Sequence, residues 1–282
     1  MASSFILSKY QGLGNDYLII DAEKNQSLLA GKKIALLCQR GVGLGADGVL
    51  YGPVLINGRR GVRIFNADGT ESAISGNGVR IFAKYLIDQG YEKGPEFSIE
   101  TLSGSIPVKA LNQRSTEFCV QMGKPSFLST DIPVDGEARE VINETFTFNG
   151  QPYQATCLTL GNPHCIIFMD KVSKEAVTAL GPYVENAPIF PNRMNLQICR
   201  RIDRENLDIQ IWERGSGYTR ASGTGAAAAA VAAWRLGYVE NRLNVNQPGG
   251  MIQIDIQEDG SLSMTGTVGY IADIRVAEGF FS

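Results

Sequence analysis

Two short motifs occur twice in this chain, at one spacing. Leu13-Gly14-Asn15 returns as Leu160-Gly161-Asn162 and Ile19-Ile20 as Ile166-Ile167, each 147 positions on. The same offset carries Ser75-Gly76-Asn77-Gly78 onto Ser222-Gly223-Thr224-Gly225, Ala83 onto Ala230 and Gly90-Tyr91 onto Gly237-Tyr238. A period this long is not that of a solenoid, whose repeats run to about 20–50 residues. It predicts two domains of one fold facing each other about a pseudo-twofold axis. The expected lobes are 1–122 with 271–282, and 123–270. A length of 282 residues suits two domains of ordinary size.

Both halves read alike. Strand-like apolar runs at 17–20 and 165–168 follow the Gly-Asn motif, and further strands at 62–65 and 207–212 enter polar turns. Those turns are Asn66-Ala67-Asp68-Gly69 and Glu213-Arg214-Gly215-Ser216-Gly217. Ser-Gly-x-Gly then opens a helix, predicted over 77–89 and over 224–236, and Gly90 or Gly237 closes it. The second helix is apolar on every face and rich in alanine, so it is expected to be buried all round, wrapped by strands. Strands are expected again at 106–111 and 252–256. Segments 129–150 and 170–195 read as loops or short helices.

Composition excludes several function classes. A net charge of −3 offers no basic footprint for nucleic acid. The longest apolar stretch, 226–234, falls well short of the roughly 20 residues that span a membrane. The first nine residues lack the basic and long apolar segments of a signal peptide. Five cysteines with no C-x-x-C spacing argue against a disulfide framework or a zinc site, and fit a reducing cytoplasm. A single histidine and no evident carboxylate cluster leave no expected metal site.

The chemistry suggested by the motifs lies at the two helix starts. The first turn of a helix has unpaired N–H groups and a partial positive charge, which suit an anion. Two such ends can grip a carboxylate and bracket the carbon beside it. A single Ser-Gly-x-Gly is more simply a helix start with serine as its cap. Duplication at one offset, with a polar turn just upstream each time, favours a functional role.

The chain resembles the diaminopimelate epimerase family over nearly its whole length. The resemblance rests on Gly12-Leu13-Gly14-Asn15-Asp16-Tyr17, Gly43-Leu44-Gly45-Ala46-Asp47-Gly48 and Phe65-Asn66-Ala67-Asp68-Gly69-Thr70-Glu71. Further matches are Gly76-Asn77-Gly78-Val79-Arg80, Gly161-Asn162-Pro163-His164-Cys165, Trp212-Glu213-Arg214-Gly215 and Pro248-Gly249-Gly250. It implies an α+β fold of two pseudo-symmetric lobes, each a mixed sheet around a central helix, with the ligand between them. It also implies inversion of an amino-acid α-carbon without pyridoxal phosphate or any other cofactor, as in converting LL- to meso-diaminopimelate in lysine biosynthesis. The implied partners are a small amino acid and a second copy of the chain in a homodimer, with no nucleic acid or membrane. By motif, Asn15, Asn66, Asn162, Asn195, Glu213 and Arg214 hold the substrate, and the backbone at Gly76, Asn77, Gly223 and Thr224 grips its α-carboxylate. His164 and Glu213 lie near the acid/base pair.

The departures bear on the chemistry. Two catalytic cysteines of the family fall on Ser75 and Ser222. A free thiol titrates near about 8.5 and lower at a helix start, whereas a serine hydroxyl is a far weaker acid. Tyr218 stands where the family usually has glutamate, and Ala226 lies in a segment that often carries another cysteine. Three readings follow: an active epimerase altered at both cysteines to trap substrate, a natural divergent enzyme, or a homologue that binds an amino acid without turning it over. In an active natural enzyme His164 is the first candidate to activate a serine hydroxyl, with Tyr218 as an auxiliary acid. Each candidate also has a plain structural alternative. His164 can be a structural histidine, Asn15 and Asn162 can cap their own turns, and Glu213 with Arg214 can be a surface ion pair.

Overall fold

The spacing of 147 reappears in the elements of the fold. A computed structural model describes residues 5–25 and 28–281. They divide into two compact units, Met1–Val120 with Gly266–Ser282, and Gln121–Thr265. The first unit runs β1 (Ile6–Gly12), β2 (Asn15–Ile20), α1 (Gly31–Cys38), β3 (Gly48–Ile56), β4 (Arg59–Asn66), β5 (Glu71–Ser72), α2 (Gly76–Asp88), β6 (Glu96–Thr101), β7 (Gly104–Ala110) and β8 (Glu117–Gly123). The second runs β9 (Glu144–Phe148), β10 (Gln151–Thr159), β11 (Pro163–Phe168), α3 (Lys174–Glu185), β12 (Asn195–Arg201), β13 (Asn206–Glu213), β14 (Gly217–Thr219), α4 (Gly223–Arg235), β15 (Arg242–Gln247), β16 (Gly250–Ile256) and β17 (Leu262–Thr267). The last strand, β18 (Gly269–Arg275), belongs to the first unit. Shifted by 147, the bounds of β4 and α2 become those of β13 and α4.

Strand pairing follows the same succession in each unit. In the first, β1 is antiparallel to β18 and β2, β2 is parallel to β3, and β3 is antiparallel to β4. β4 then pairs antiparallel with β5 and parallel with β6, which continues antiparallel through β7 to β8. In the second, β10 is antiparallel to β9 and β11, β11 is parallel to β12, and β12 is antiparallel to β13. β13 pairs antiparallel with β14 and parallel with β15, which continues antiparallel through β16 to β17. Each parallel pair needs a crossover, supplied by α1 between β2 and β3, α2 between β4 and β6, α3 between β11 and β12, and α4 between β13 and β15. Each unit is therefore a mixed sheet with helices, an α+β fold dominated by strands.

The helix after Ser-Gly-x-Gly is the centre of its unit. Every residue of α4 from Gly223 to Ala233 is buried, and the helix packs on β10, β11, β12, β13, β15 and β16. Alanine makes this geometry available, because small side chains let strands approach on all faces. α2 is buried from Gly76 to Leu86 and packs on β1, β2 and β3. Beside α1 lies a second apolar cluster of Leu7, Leu18, Ile20, Ile34, Leu37, Val49 and Phe65.

Two segments differ from the expectation of loops or short helices. Residues 129–150 contain β9, whose Phe146 and Phe148 alternate inward and join the core of the second unit. Residues 170–195 contain the twelve-residue α3, started by Ser173, whose side chain accepts the Ala176 N–H at 3.2 Å. Its buried face is Val177, Leu180, Gly181, Val184 and Glu185. A β-carbon on Gly181 would stand 2.3 Å from Trp212 Cδ2, so the helix lies against the indole only because that residue is glycine.

Candidate active site

The site in each unit is built on the start of its central helix. Ser75 precedes α2 in extended backbone, and its Oγ accepts the Gly78 N–H at 3.1 Å. Ser222 precedes α4 in the same way, and its Oγ accepts the Gly225 N–H at 3.2 Å. A β-carbon on Gly78 or Gly225 would come within 3.2 Å of its serine Oγ, so the fourth position of the motif has to be small. The cap uses one N–H of the first turn. The N–H groups of Gly76 and Asn77, and of Gly223 and Thr224, have no acceptor within the helix. These are the backbone donors expected from the sequence.

In the first unit a relay of amides fixes the surroundings of Ser75. Asn77 Nδ2 donates to Asn15 Oδ1 at 3.1 Å, and Asn15 Nδ2 donates to Asp47 Oδ2 at 2.9 Å. From below, the fully buried Arg80 donates Nη2 to Asn77 Oδ1 at 2.5 Å. Burial pulls the Arg80 guanidinium down to about 10, still charged at neutral pH. Asn15, Ser75, Gly76 and Asn77 are thus brought together. Asn66 is exposed in its turn, where its Nδ2 donates to Thr70 Oγ1 at 3.0 Å.

In the second unit Asn162 takes the place of Asn15. Its Nδ2 donates to Thr224 Oγ1 at 3.2 Å, and its Oδ1 lies 3.1 Å from His164 Nε2. His164 Nδ1 lies 2.9 Å from Gln197 Oε1. Among the described residues the ring has these two polar partners and no hydrogen bond to Ser222. Burial lowers His164 to about 4, so the imidazole is neutral at pH 7. The Ser222 N–H donates to Gln247 Oε1 at 2.8 Å. Asn195 serves the backbone: its Nδ2 donates to Pro163 O at 2.7 Å and its Oδ1 accepts the Arg214 N–H at 2.9 Å.

The turn after β13 carries the charged candidates. Arg214 is half-buried, and its Nη1 donates to Asn192 O at 2.9 Å. Burial and then neighbouring Arg193 pull its guanidinium below the usual range. Among the described residues it has no carboxylate partner, so the surface ion-pair reading does not apply to it. Glu213 is half-buried opposite Gly217 in the β13–β14 pairing. Tyr218 lies on β14 with Lys174 Nζ 5.0 Å from its ring centre, and Ala226 is fully buried within α4.

Three positions that the sequence reading missed organise these groups. Glu185 of α3 accepts the Trp212 indole N–H at 2.7 Å and the Gly215 N–H at 2.8 Å, and pairs with Arg193 at 3.0 Å. It pins both ends of the Glu213–Arg214 turn. Gln197 holds the His164 ring. Tyr17 places its hydroxyl 3.1 Å from Ser75 Oγ. The motifs contain Tyr17, but nothing in the sequence joins it to a serine 58 residues away.

Cys38, Cys157 and Cys199 are poorly suited to replace the serines as bases. Burial pushes the Cys38 thiol up to about 12 and also raises the Cys157 and Cys199 thiols well above the usual range. Cys157 faces Cys165 across the β10–β11 pair, inside the second core. Among the described residues no three His, Cys, Asp or Glu side chains gather as a metal site. No described helix is long and apolar enough to cross a membrane.

Comparison with known proteins agrees with this construction. The sequence profile of the family described as diaminopimelate epimerase matches residues 7–128 and 156–271. Diaminopimelate epimerase 2 of Nostoc sp. is 42% identical over 275 residues, covering 97% of this chain and 96% of that protein. The diaminopimelate epimerase of Moorella thermoacetica is 38% identical over 263 residues, covering 92% and 94%. Among solved structures, a hydroxyproline epimerase from Agrobacterium vitis with bound trans-4-hydroxy-L-proline shares the fold, with a TM-score of 0.73 and 12% identity over 98% of this chain and 93% of that one. The chain belongs to the diaminopimelate epimerase family of isomerases.

Proposed function

We propose that this protein is a cofactor-independent epimerase that interconverts LL- and meso-diaminopimelate in the cytoplasm, taking a proton from one α-carbon with one serine and returning a proton with the other. The observation that carries the reading is the pair of serine-capped helix starts at equivalent positions of a repeated fold. An α-proton is hard to remove because charge builds on the neighbouring carboxylate. First-turn N–H groups at Gly76 and Asn77, and at Gly223 and Thr224, are aimed at such charge and need no reorganisation. Asn15 and Asn162, each tied to the residue after the first helical glycine, position the amino acid against these donors. Arg214, without a carboxylate of its own, suits the distal carboxylate of the substrate as a two-pronged donor. Glu213 suits its ammonium, and His164 and Asn66 complete the surroundings.

The serines set the rate. Acid–base catalysis contributes about 10²–10⁴-fold for a well-placed group whose pKa lies near the working pH. A hydroxyl lies far above that, so turnover is expected to be slower than with thiols. The test is incubation of the full-length protein with LL-diaminopimelate and chromatographic separation of the isomers. Formation of meso-diaminopimelate is expected, and S75C/S222C is expected to form it at least about tenfold faster. Binding of either isomer with no conversion by the wild-type chain contradicts the proposal.

A further inference from the structure

The repeat places Tyr17 and His164 at the same position, two residues after Asn15 and Asn162 respectively. Each sits on the strand that runs parallel to the next, Tyr17 opposite Gly48 and His164 opposite Asn195. The two units thus carry a phenol and an imidazole at one structural place, both groups able to hold a proton. They are used differently. His164 is bounded by Gln197 and Asn162. Tyr17 instead meets the cap serine itself, with its hydroxyl 3.1 Å from Ser75 Oγ. The ring is held in place: it is buried, and a β-carbon on Gly48 would stand 2.6 Å from Tyr17 Cε1.

We infer that Tyr17 is the positioning and proton-relay residue for Ser75, so that the first unit works with a Tyr–Ser pair and not with a lone hydroxyl; this rests on the epimerase reading of Ser75. Ser75 Oγ already accepts the Gly78 N–H. A phenol is a far stronger acid than an aliphatic hydroxyl, so the Tyr17 O–H is the natural donor to Oγ. With two donors on its lone pairs, Ser75 has its own hydrogen free to leave. When the α-carbanion is protonated, its electron pair forms the new C–H bond and the Ser75 O–H bond breaks. The Tyr17 O–H bond breaks in turn and its proton completes the serine hydroxyl. The charge rests on the phenolate until solvent protonates it. In the opposite direction each transfer reverses, the phenolate accepting the serine proton as Oγ takes the α-proton.

Tyr17→Phe keeps the ring and removes the hydroxyl. The expected result is a fall in kcat for diaminopimelate epimerisation of about 100-fold with KM within about twofold. Ser75→Ala is expected to lose as much or more, and Y17F/S75A no more than S75A alone, because the two groups act as a unit. In an S75C background, Y17F is expected to cost less than about threefold, since a thiol near about 8.5 needs no phenol. Unchanged kcat in Y17F overturns the inference. Equal loss in the serine and cysteine backgrounds also overturns it, because that marks a ring needed for folding or packing. An inactive wild-type chain removes the epimerase reading and this inference with it, whereas an active wild type with an unaffected Y17F removes the inference alone.

Discussion

A serine before a helix is usually there to accept one N–H, and Ser75 and Ser222 both do so. Their capping and their chemistry can be separated, because loss of a cap costs about 1 kcal/mol and leaves the helix in place. Arg214 is likewise separable. Arg214→Lys keeps the charge but loses the planar fork, and KM for diaminopimelate is expected to rise about tenfold with a smaller effect on kcat. Unchanged KM in steady-state assays would remove Arg214 from substrate binding. His164 gives a pH signature. It titrates near 4 when folded and near about 6.5 unfolded. Above 6.5 both states are neutral and the full stability is present. As pH falls from 6.5 toward 4 the unfolded chain takes up a proton that the native ring refuses, so stability is lost at up to about 1.4 kcal/mol per pH unit. Urea midpoints at pH 7 and pH 5 are expected to differ in the wild type and to converge in His164→Gln, and identical differences in both proteins would contradict the burial argument. At this scale the sequence revealed Ser75, Ser222, Asn15 and Asn162 because they sit in repeated motifs. It concealed Tyr17, Gln197 and Glu185, whose partners Ser75, His164 and Trp212 lie 27 to 58 residues away and are joined only by strand pairing and crossover helices.

The central helices were the most legible elements. The expected spans 77–89 and 224–236 are each one residue later than the observed Gly76–Asp88 and Gly223–Arg235, because the first glycine of the motif already belongs to the helix. Serine and glycine punctuation marks both ends, and the alanine run announces burial on every face. That close fit is testable. Ala228→Leu adds volume where strands pack directly on the helix, and is expected to cost about 1–3 kcal/mol or to lower soluble yield. A thermal midpoint equal to wild type would show that α4 has room to spare. β9 and α3 were not legible for a different reason. β9 is five residues with only two inward phenylalanines, too short for alternation to stand out. α3 contains Gly181 and Pro182, which read as breakers, although the glycine is there to receive Trp212.

Across the whole molecule, duplication explains both the regularity and its exceptions. The bounds of β4 and α2 recur at 147 in β13 and α4, and the order of strand pairing is used twice. The partner on the free side of the first strand is where the copies diverge. In the second unit β10 is flanked by β9, which immediately precedes it, while in the first unit β1 is flanked by β18 from the far end of the chain. β9 alternates inward with Phe146 and Phe148, whereas β18 has no buried residue, and neither short strand announces its partner in the sequence. The chemistry diverges as well: Asn77 becomes Thr224, Tyr17 becomes His164, and buried Arg80 becomes Ala227. What the copies keep is the serine at the helix start. The decisive measurement is therefore α-proton exchange: LL-diaminopimelate in D₂O with the wild type, Ser75→Ala and Ser222→Ala, followed by NMR at the α-carbon. Deuterium entering the α-position as the meso isomer forms in the wild type, with conversion lost in each variant, is the expected result. No label with the wild type, or undiminished conversion in both variants, would contradict proton transfer by these serines.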